Sequence, residues 1–144
     1  MRYKRPESVL VVIYDSTNRV LVMQRDDDLN FWQSVTGTIE EKERAIDTAY
    51  REVKEETGID LLALGCKLVD CHLTNRYLIR KSWLYRYPPG TLYNQEHVFA
   101  VRVPSDLPIL LTEHVSYGWE EKQVAAAKVW SETNKIAILQ QVPG

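Results

Sequence analysis

A run of acidic residues at helical spacing is the feature that most constrains this chain of 144 residues. Glu52, Glu55 and Glu56 stand at positions i, i+3 and i+4, so on a helix their side chains project from one surface and converge. Carboxylates about 4 Å apart repel each other by roughly 4 kcal/mol at an effective dielectric of about 20. A divalent cation turns that repulsion into attraction, and all-oxygen ligation suits Mg²⁺ or Mn²⁺ better than zinc. The segment therefore predicts a metal-binding helix.

The surrounding segment, residues 37–59, decides between this prediction and a plain solvated helix face, which is the commoner origin of acidic runs. It matches the spacing Gly-x5-Glu-x7-Arg-Glu-U-x-Glu-Glu-x-Gly-U, where U is an apolar residue. With average residue usage, such a match arises by chance at about one start position in 10⁹. The fixed positions are filled by Gly37, Glu43, Arg51, Glu52, Val53, Glu55, Glu56, Gly58 and Ile59. The segment resembles the Nudix box.

The resemblance implies a fold, a reaction and a cofactor. The fold is of the α/β class, a Nudix-type α/β/α sandwich with a mixed β-sheet and a loop-helix-loop catalytic motif. The reaction is Mg²⁺-dependent hydrolysis of a diphosphate linked to another group, with Mn²⁺ as the substitute ion. Glu52 and Glu56 are then expected to be the principal metal ligands, and Glu55 either a ligand or the base that takes a proton from water. All three glutamates are expected to be catalytic.

Residues outside the glutamate cluster are expected, by the same resemblance, to complete the metal site. The backbone carbonyl of Gly37 is one expected ligand, and the carboxylate of Glu113 is another. Glu96 is the weaker alternative to Glu113. A solvated loop residue remains the competing interpretation of Glu113, because loops carry both surface charge and function.

The box also predicts how its helix packs. Apolar side chains recur at helical spacing beside the glutamates and predict a stripe that packs on a core, namely Ile46, Ala49, Tyr50 and Val53. Arg51 and Glu55 are four residues apart and are expected to pair. Gly58 is expected to end the helix in the left-handed conformation. Lys42 stands where the family often has glycine, so we expect an altered loop shape and intact chemistry.

The whole chain is expected to form one domain over residues 1–144. Its hydrophobic content of 44% suits a single core, and its net charge of −2 gives no support for a nucleic-acid polymer as partner. No stretch has the length of a membrane span or the apolar region of a signal peptide, so we expect a cytoplasmic protein that does not bind membranes. Cys66 and Cys71 are five apart in an expected strand and should point to opposite faces, which argues against a disulfide.

Apolar and β-branched runs alternate with helical patterns along the chain. A hairpin is expected from residues 8–14 and 20–24, and further strands over 67–72, 77–87 and 97–103. Helices are expected over 120–129 and 131–141, with Ser131 as the N-cap of the second. Three histidines, His72, His97 and His114, are candidate bases, although a histidine in or beside a strand is more often structural.

The flanks of the box narrow the substrate by resemblance. Segments such as Phe31-Trp32-Gln33-Ser34-Val35-Thr36 make the chain similar to the Nudix hydrolases that convert dihydroneopterin triphosphate to the monophosphate and pyrophosphate in folate biosynthesis. Lys4, Arg25 and Thr36 are then expected to bind substrate. The segments 75–80 and 128–131 depart from that pattern and are expected to line the base pocket, with Tyr77, Arg80 and Ser131 as substrate-binding residues.

Three functions compete at this point. The first is hydrolysis of the pterin triphosphate, where the ring stacks on an aromatic side chain such as Tyr77 or Trp83, although core packing is the plainer interpretation of Trp83. The second is a (d)NTP pyrophosphohydrolase of broader specificity. The third is a non-catalytic Nudix-like nucleotide-binding module, which has no need of the complete glutamate set. The oligomeric state is not predicted.

Overall fold

A mixed β-sheet crosses the middle of the molecule, whose residues 2–144 are described by a computed structural model. Its strands are β1 (Glu7–Asp15), β2 (Val20–Arg25), β3 (Trp32–Gln33), β4 (Val35–Thr38), β5 (Val69–Leu78), β6 (Tyr93–Val103) and β7 (His114–Glu120). They pair in the order β3-β2-β1-β6-β5, while β4 also pairs with β1 and β7 with β2. The sheet is mixed because β1 is antiparallel to β2 and β4 but parallel to β6.

The central strand β1 is buried on both faces, which explains why its sequence is apolar without interruption. Val9, Val11 and Ile13 contact one hydrophobic core, and Leu10 and Val12 contact the other. Side chains alternate between the two faces of a strand, so successive residues of β1 enter different cores. Each fully buried Val, Leu or Ile contributes about 1.5–3 kcal/mol relative to an exposed one. The strand thus joins the two halves of the fold.

Helices cover both faces of the sheet. They are α1 (Ala45–Thr57), α2 (Leu61–Leu64), α3 (Lys122–Lys128) and α4 (Glu132–Gln141), and a 3₁₀ helix spans Lys81–Arg86. One core lies under α1 and α2, and the other under α3 and α4. The expected α/β/α sandwich is therefore present. None of the helices within residues 2–144 has the length and apolar character needed to cross a membrane.

The helix α1 forms as its sequence predicts. Ala49 and Val53 are fully buried in the core, and Ile46 and Tyr50 pack against it from partly buried positions. At the C-terminus Gly58 has φ of 76°, and its N–H donates to the Lys54 carbonyl at 2.9 Å. This left-handed residue ends the helix without the steric penalty that a Cβ would bring.

The loop before α1 contains a residue in a strained conformation. Lys42 has φ of 68°, in the left-handed region that glycine favours. The backbone there has a glycine-like shape although the residue is lysine, and a non-glycine residue in this region costs about 1 kcal/mol. Lys42 is exposed and does not contribute to the core under α1.

Two expectations about the elements were wrong, and one strand was not predicted. The strand expected over 77–87 is the end of β5 followed by the 3₁₀ helix, since β5 ends at Leu78 and the Ile79 N–H bonds the Leu92 carbonyl at 2.9 Å. The helix expected from residue 120 begins at Lys122, because β7 continues to Glu120. β7 was not predicted, although Val115, Tyr117 and Trp119 alternate with polar or small residues as they do in a strand.

The hairpin, the box helix and the last helix agree with expectation. Ser131 is the N-cap of α4 and accepts a hydrogen bond from the Asn134 N–H at 3.1 Å. Cys66 and Cys71 are both free thiols. Cys66 lies after α2, though, rather than in a strand, so the facing argument applies only to Cys71.

Candidate active site

A cleft of about 960 Å³ gathers residues from α1, β4, β6, the 3₁₀ helix and the start of α4. Ten of the residues predicted to bind metal or substrate line it. They are Lys4, Arg25, Thr36, Gly37, Glu52, Glu56, Tyr77, Arg80, Glu113 and Ser131. Its size falls within the range of small-molecule sites in proteins, which is about 300–1,000 Å³. One cleft thus brings together side chains from across the whole chain.

Buried carboxylates from α1 lie at one end of the cleft. Glu56 is 2% exposed, and within residues 2–144 neither of its carboxylate oxygens has a hydrogen-bond partner. Burial, followed by the neighbouring Glu52 and Glu113 carboxylates, holds the pKa of Glu56 well above its usual range. Burial likewise raises the pKa of Glu52 to about 7. A buried acceptor without a donor is costly, and these oxygens are therefore suited to a cation.

Gly37 leaves the room that the Glu52 side chain occupies. A Cβ built on Gly37 would overlap the Glu52 carboxylate. The backbone of β4 and the α1 carboxylate can approach this closely only because residue 37 has no side chain. The same absence leaves the Gly37 backbone at the wall of the cleft beside the glutamates.

Arg51 organises the carboxylates on the outer side of α1. Its guanidinium donates to Glu43 at 2.7 Å, to Glu52 at 2.6 Å, to Glu55 at 3.2 Å and to the Thr38 carbonyl at 3.2 Å. Hydrogen bonding by Arg51 lowers the pKa of Glu43 to about 2, so Glu43 stays ionised. The expected pairing of Arg51 with Glu55 is present, and the network fixes the loop to the helix.

Glu55 and Glu113 are placed differently from the two buried glutamates. The Glu55 side chain is 56% exposed, stands outside the cleft lining formed by residues 2–144 and pairs with Arg51. Glu113 is exposed in the loop before β7 and lines the cleft. Thr112 beside it donates to the Glu55 backbone carbonyl at 2.8 Å, which ties this loop to α1.

The donor set fits a divalent cation, although the side chains are not closed around one point. In the described part of the chain, no three acidic, histidine or cysteine side chains already stand at metal-ligand spacing. The chemical types of the donors fit a divalent cation. They are the unpartnered oxygens of Glu56, the carboxylates of Glu52 and Glu113, and the backbone carbonyl of Gly37. Such all-oxygen sets suit Mg²⁺ and Mn²⁺.

Cations stand next to the carboxylates. Lys4 lines the cleft, where partial burial and the nearby Arg86 and Arg25 guanidinium groups lower its pKa. Arg25 is held by a bidentate pair with Asp27, at 2.7 Å for each bond. These side chains present positive charge on the side of the cleft where polyphosphate would meet the glutamates.

The other end of the cleft is aromatic. Phe31 and Trp130 stack with ring centroids 4.7 Å apart. The Arg80 guanidinium lies 4.8 Å from the Trp83 ring centroid and 5.5 Å from that of Trp130, and Arg25 lies 5.1 Å from that of Phe31. Flat rings with cations above their faces form a surface suited to a planar heterocycle.

Three predicted substrate residues already have partners in the protein. The Tyr77 hydroxyl accepts from Asn94 Nδ2 at 3.1 Å, and burial raises its pKa to about 12. The Thr36 hydroxyl accepts from Gln33 Nε2 at 3.4 Å. The Ser131 hydroxyl caps α4. All three residues also line the cleft. Each one therefore hydrogen-bonds within the protein and is positioned to contact a bound molecule.

His72 and His97 have partners that indicate structural positions, whereas the buried Nδ1 of His114 has no hydrogen-bond partner within residues 2–144. His97 Nε2 lies 3.2 Å from Glu7, and exposed His72 is bonded through its backbone N–H to Asp70. His114 is buried in the cleft wall with Gln33 Nε2 at 3.1 Å from its Nε2, and burial lowers its pKa. Only His114 lines the cleft among the histidines.

Several cleft residues were not predicted as substrate contacts. Asn94 and Glu96 lie on β6 and are 2% and 4% exposed, and Phe31 and Trp130 form the aromatic stack. Trp83 was interpreted mainly as core, whereas it faces the cleft. The available signal was that Asn94 and Glu96 share a strand face with the apolar Val98 and Ala100, so polar residues continue the core-facing side of β6.

Comparisons with known proteins agree with this geometry. A NUDIX domain model matches residues 4–140. The dihydroneopterin triphosphate diphosphatase of Escherichia coli is 48% identical over 141 residues, covering 97% of this chain and 94% of the relative. The Haemophilus influenzae protein of the same name is 41% identical over 139 residues, covering 96% and 88%. The solved structure of the E. coli dihydroneopterin triphosphate pyrophosphohydrolase superposes with a TM-score of 0.93 at 47% identity, covering 99% and 98%.

Proposed function

The chain belongs to the Nudix family and has its fold, and we propose that it hydrolyses dihydroneopterin triphosphate to dihydroneopterin monophosphate and pyrophosphate. Water attacks the triphosphate, the bond between its first and second phosphoryl groups breaks, and pyrophosphate leaves. The reaction is a step of folate biosynthesis.

The observation that carries the proposal is one continuous cleft with two chemically different ends. At the α1 end, Glu56 is a buried carboxylate without a donor within residues 2–144, and Glu52 lies beside it; at the α4 end stand stacked aromatic rings with guanidinium groups. A molecule that bridges them needs a polyanionic tail and a flat ring, and a pterin triphosphate has both. The volume of about 960 Å³ accommodates such a molecule.

Nudix hydrolases generally depend on a divalent metal ion, and we infer that Mg²⁺ serves here, with Mn²⁺ as a substitute. Glu52, Glu56 and Glu113 would hold it with the Gly37 carbonyl, since these residues line the cleft and the Glu56 oxygens lack partners within residues 2–144. When bound, the ion supplies positive charge against the phosphate oxygens. Burial makes ionisation of Glu52 and Glu56 costly, as their raised pKa values indicate, so a cation beside them would favour their charged forms.

The remaining charged residues at this end position the triphosphate. Lys4 and Arg25 contact phosphate oxygens, with the Asp27 pair fixing the orientation of the Arg25 fork. Thr36 donates its hydroxyl from β4. Glu55 is either a further ligand or the base that accepts the proton of the attacking water, and its half-exposed position beside Arg51 leaves it free to exchange that proton with solvent.

At the other end, we assign ring binding to the aromatic cluster and the residues beside it. The pterin stacks against the Phe31–Trp130 pair, and Arg80 and Tyr77 border it. Ser131 borders the cleft from the start of α4 while it caps that helix. The Tyr77 hydroxyl accepts from Asn94 through its oxygen, so its proton is available to donate a hydrogen bond to the substrate.

We also propose that residues 1–144 act as a single Nudix domain, located in the cytoplasm, with a small-molecule substrate. The cores on the two faces of the sheet share β1, which supports one cooperative unit.

The experiment that tests the function is a substrate panel assayed with Mg²⁺ and scored separately for pyrophosphate and orthophosphate. We expect dihydroneopterin triphosphate to be used with a higher kcat/KM than dATP, with pyrophosphate as the first product. A preference for dATP of tenfold or more would overturn the pterin assignment in favour of a (d)NTP pyrophosphohydrolase.

A further inference from the structure

A buried carboxylate away from α1 has no role in the chemistry described so far. Glu96 lies on β6, lines the cleft and is 4% exposed. Alternation along β6 places its side chain on the same face as Val98 and Ala100, which belong to the core under α3 and α4. Glu52 and Glu56 come from α1, which covers the opposite face. Glu96 therefore belongs to the substrate end of the cleft.

The carboxylate of Glu96 is incompletely satisfied by the protein. Asn75 Nδ2 donates to its Oε1 at 3.3 Å, and the Thr133 side chain on α4 also favours its ionised form. Across residues 2–144 no lysine, arginine or histidine pairs with it within 4.0 Å. A carboxylate has about four acceptor sites, and burying one without a cation is unfavourable unless further donors arrive. Burial raises the pKa of Glu96 accordingly.

The groups around Glu96 form a hydrogen-bonded polar patch in the wall of the cleft. Asn94, two residues earlier on β6, donates to the Ser8 hydroxyl at 2.8 Å and to the Tyr77 hydroxyl at 3.1 Å. Ser8, Tyr77, Asn94 and Glu96 all line the cleft. These contacts lock the neighbours of Glu96 into one arrangement, so the carboxylate borders the cleft from a rigid strand.

The missing donors match one class of heterocycle. The pyrimidine part of a pterin presents a ring N–H beside a 2-amino group, which are two adjacent donors, and guanine presents the same edge. A carboxylate accepts both through its two oxygens. Adenine instead presents a ring-nitrogen acceptor beside its amino group, and an ionised carboxylate repels that acceptor.

We propose that Glu96 is the specificity-determining residue of the cleft and reads the donor-donor edge of a 2-amino-4-oxo-pyrimidine ring. The inference deepens the proposed function and rests on it. Ring stacking on the aromatic cluster is tolerant of ring identity, because every base has an aromatic face. The buried carboxylate on β6 supplies the discrimination that stacking lacks.

The test compares three substrates in wild type and Glu96→Gln: dihydroneopterin triphosphate, dGTP and dATP. Glutamine keeps the shape but replaces one acceptor oxygen by a donor, so it mispairs with the donor-donor edge and suits adenine. The kcat/KM for the pterin triphosphate and for dGTP should each fall about tenfold to a hundredfold, mostly through KM, while that for dATP is unchanged or rises. Because the readout is a ratio of substrates within one protein, loss of folded enzyme cancels.

A matched control makes the same chemical change outside the cleft. Glu120→Gln, on β7 in a surface pair with Lys128 at 3.4 Å, should leave all three values unchanged. An equal fall for all substrates in Glu96→Gln would mean that Glu96 only supports the start of α4, and the proposal would be wrong. A wild-type enzyme that ignores the pterin triphosphate but uses nucleotides would instead overturn the proposed function, a result visible before any variant is made.

Discussion

The two ends of the cleft bury polar groups in different ways. At the α1 end carboxylates crowd together on neighbouring turns of one helix, and Glu56 has no donor for either oxygen in the described chain. At the α4 end the polar groups are mostly bonded to each other, as Asn94 is to Ser8 and Tyr77, and aromatic rings form the walls. The α1 end thus concentrates negative charge that suits a cation. The α4 end has aromatic walls and one buried carboxylate, Glu96, that lacks a cationic partner among residues 2–144.

This difference indicates which residues determine the rate of reaction and which determine the choice of substrate. The reactive end comes from residues close together in the sequence, whose spacing on a helix forces them together. The substrate end takes residues from β5, β6, the 3₁₀ helix and α4, which meet only through the fold. We expect changes at the first end to alter rate for every substrate, and changes at the second to alter the choice between substrates.

The largest expected effect is at Glu56. Glu56→Gln removes the charge that holds the metal and should lower kcat by about 10²–10⁴-fold with Mg²⁺, measured by pyrophosphate release. The same change should raise the thermal midpoint of the metal-free protein, because it removes a buried charge without a partner. Glu41→Gln, at an exposed position, is the matched control and should change neither quantity. Normal turnover in Glu56→Gln would mean that the metal site lies elsewhere.

The aromatic end should respond through binding. Trp130→Ala removes one ring of the stack with Phe31 and should raise KM for dihydroneopterin triphosphate by about 5- to 150-fold, with a smaller change in kcat. Steady-state kinetics on the purified variant measure both constants. Tyr117→Ala removes an exposed aromatic on β7 outside the cleft lining and should leave KM unchanged. A fall in kcat with KM unaltered would break the division between the two ends.

The charge at the α1 end should appear in stability as a function of pH. Burial raises the pKa of Glu52 to about 7 and holds that of Glu56 well above its usual range, so above about pH 4.5 the folded state holds protons that the unfolded state has released. The resulting penalty is absent below that pH and complete above the folded pKa values. Metal-free wild type should therefore lose about 1–3 kcal/mol of unfolding free energy relative to Glu56→Gln between about pH 5 and 8.

Urea unfolding with a chelator present measures this difference. Comparison with Glu56→Gln cancels the opposite contribution of His114, whose pKa is lowered by burial and which therefore favours folding as the pH rises. Adding Mg²⁺ at about pH 8 should restore the wild type and leave the variant little changed. A difference that is constant with pH would show that the two buried glutamates do not share an uncompensated charge.

The smallest expected effect tests the loop that leads into α1. Lys42→Gly removes a side chain from a position with φ of 68° and should raise the unfolding free energy by about 0.5–1 kcal/mol, measured by urea unfolding. Activity should not change, because Lys42 stands outside the cleft lining formed by residues 2–144. A variant that is less stable than wild type would show that the left-handed conformation of this loop carries no strain.

The sequence predicted the parts of the molecule that are determined by residues close together in the chain. Helix α1, its stop at Gly58 and its stripe through Ala49 and Val53 follow from spacing and from the conformational freedom of glycine. The N-cap at Ser131 follows from side-chain chemistry. The predicted fold class also agrees with the structure and with the related solved structure.

The parts that were missed depend on distant contacts. The strand expected over 77–87 stops early because β5 loses its partner after Leu78, which pairs with Tyr93 at the start of β6, and no window around residue 79 reveals this pairing. β7 is the exception, because the alternation of Val115, Tyr117 and Trp119 is a local signal of a strand, and the strand pairs with β2. Trp83 lies on the 3₁₀ helix and faces the cleft rather than the core. Glu96 is buried at the cleft by the packing of the fold, which its local sequence does not show.

The division of the cleft is tested most directly by one ratio, the kcat/KM for dihydroneopterin triphosphate divided by that for dATP, measured with Mg²⁺ in wild type, Glu56→Gln and Glu96→Gln. We predict that Glu56→Gln lowers both values together and leaves the ratio within about threefold of wild type, while Glu96→Gln lowers the ratio about tenfold or more. A ratio that shifts in Glu56→Gln, or that stays constant in Glu96→Gln, would contradict the claim that one end of the cleft performs the reaction and the other selects the substrate.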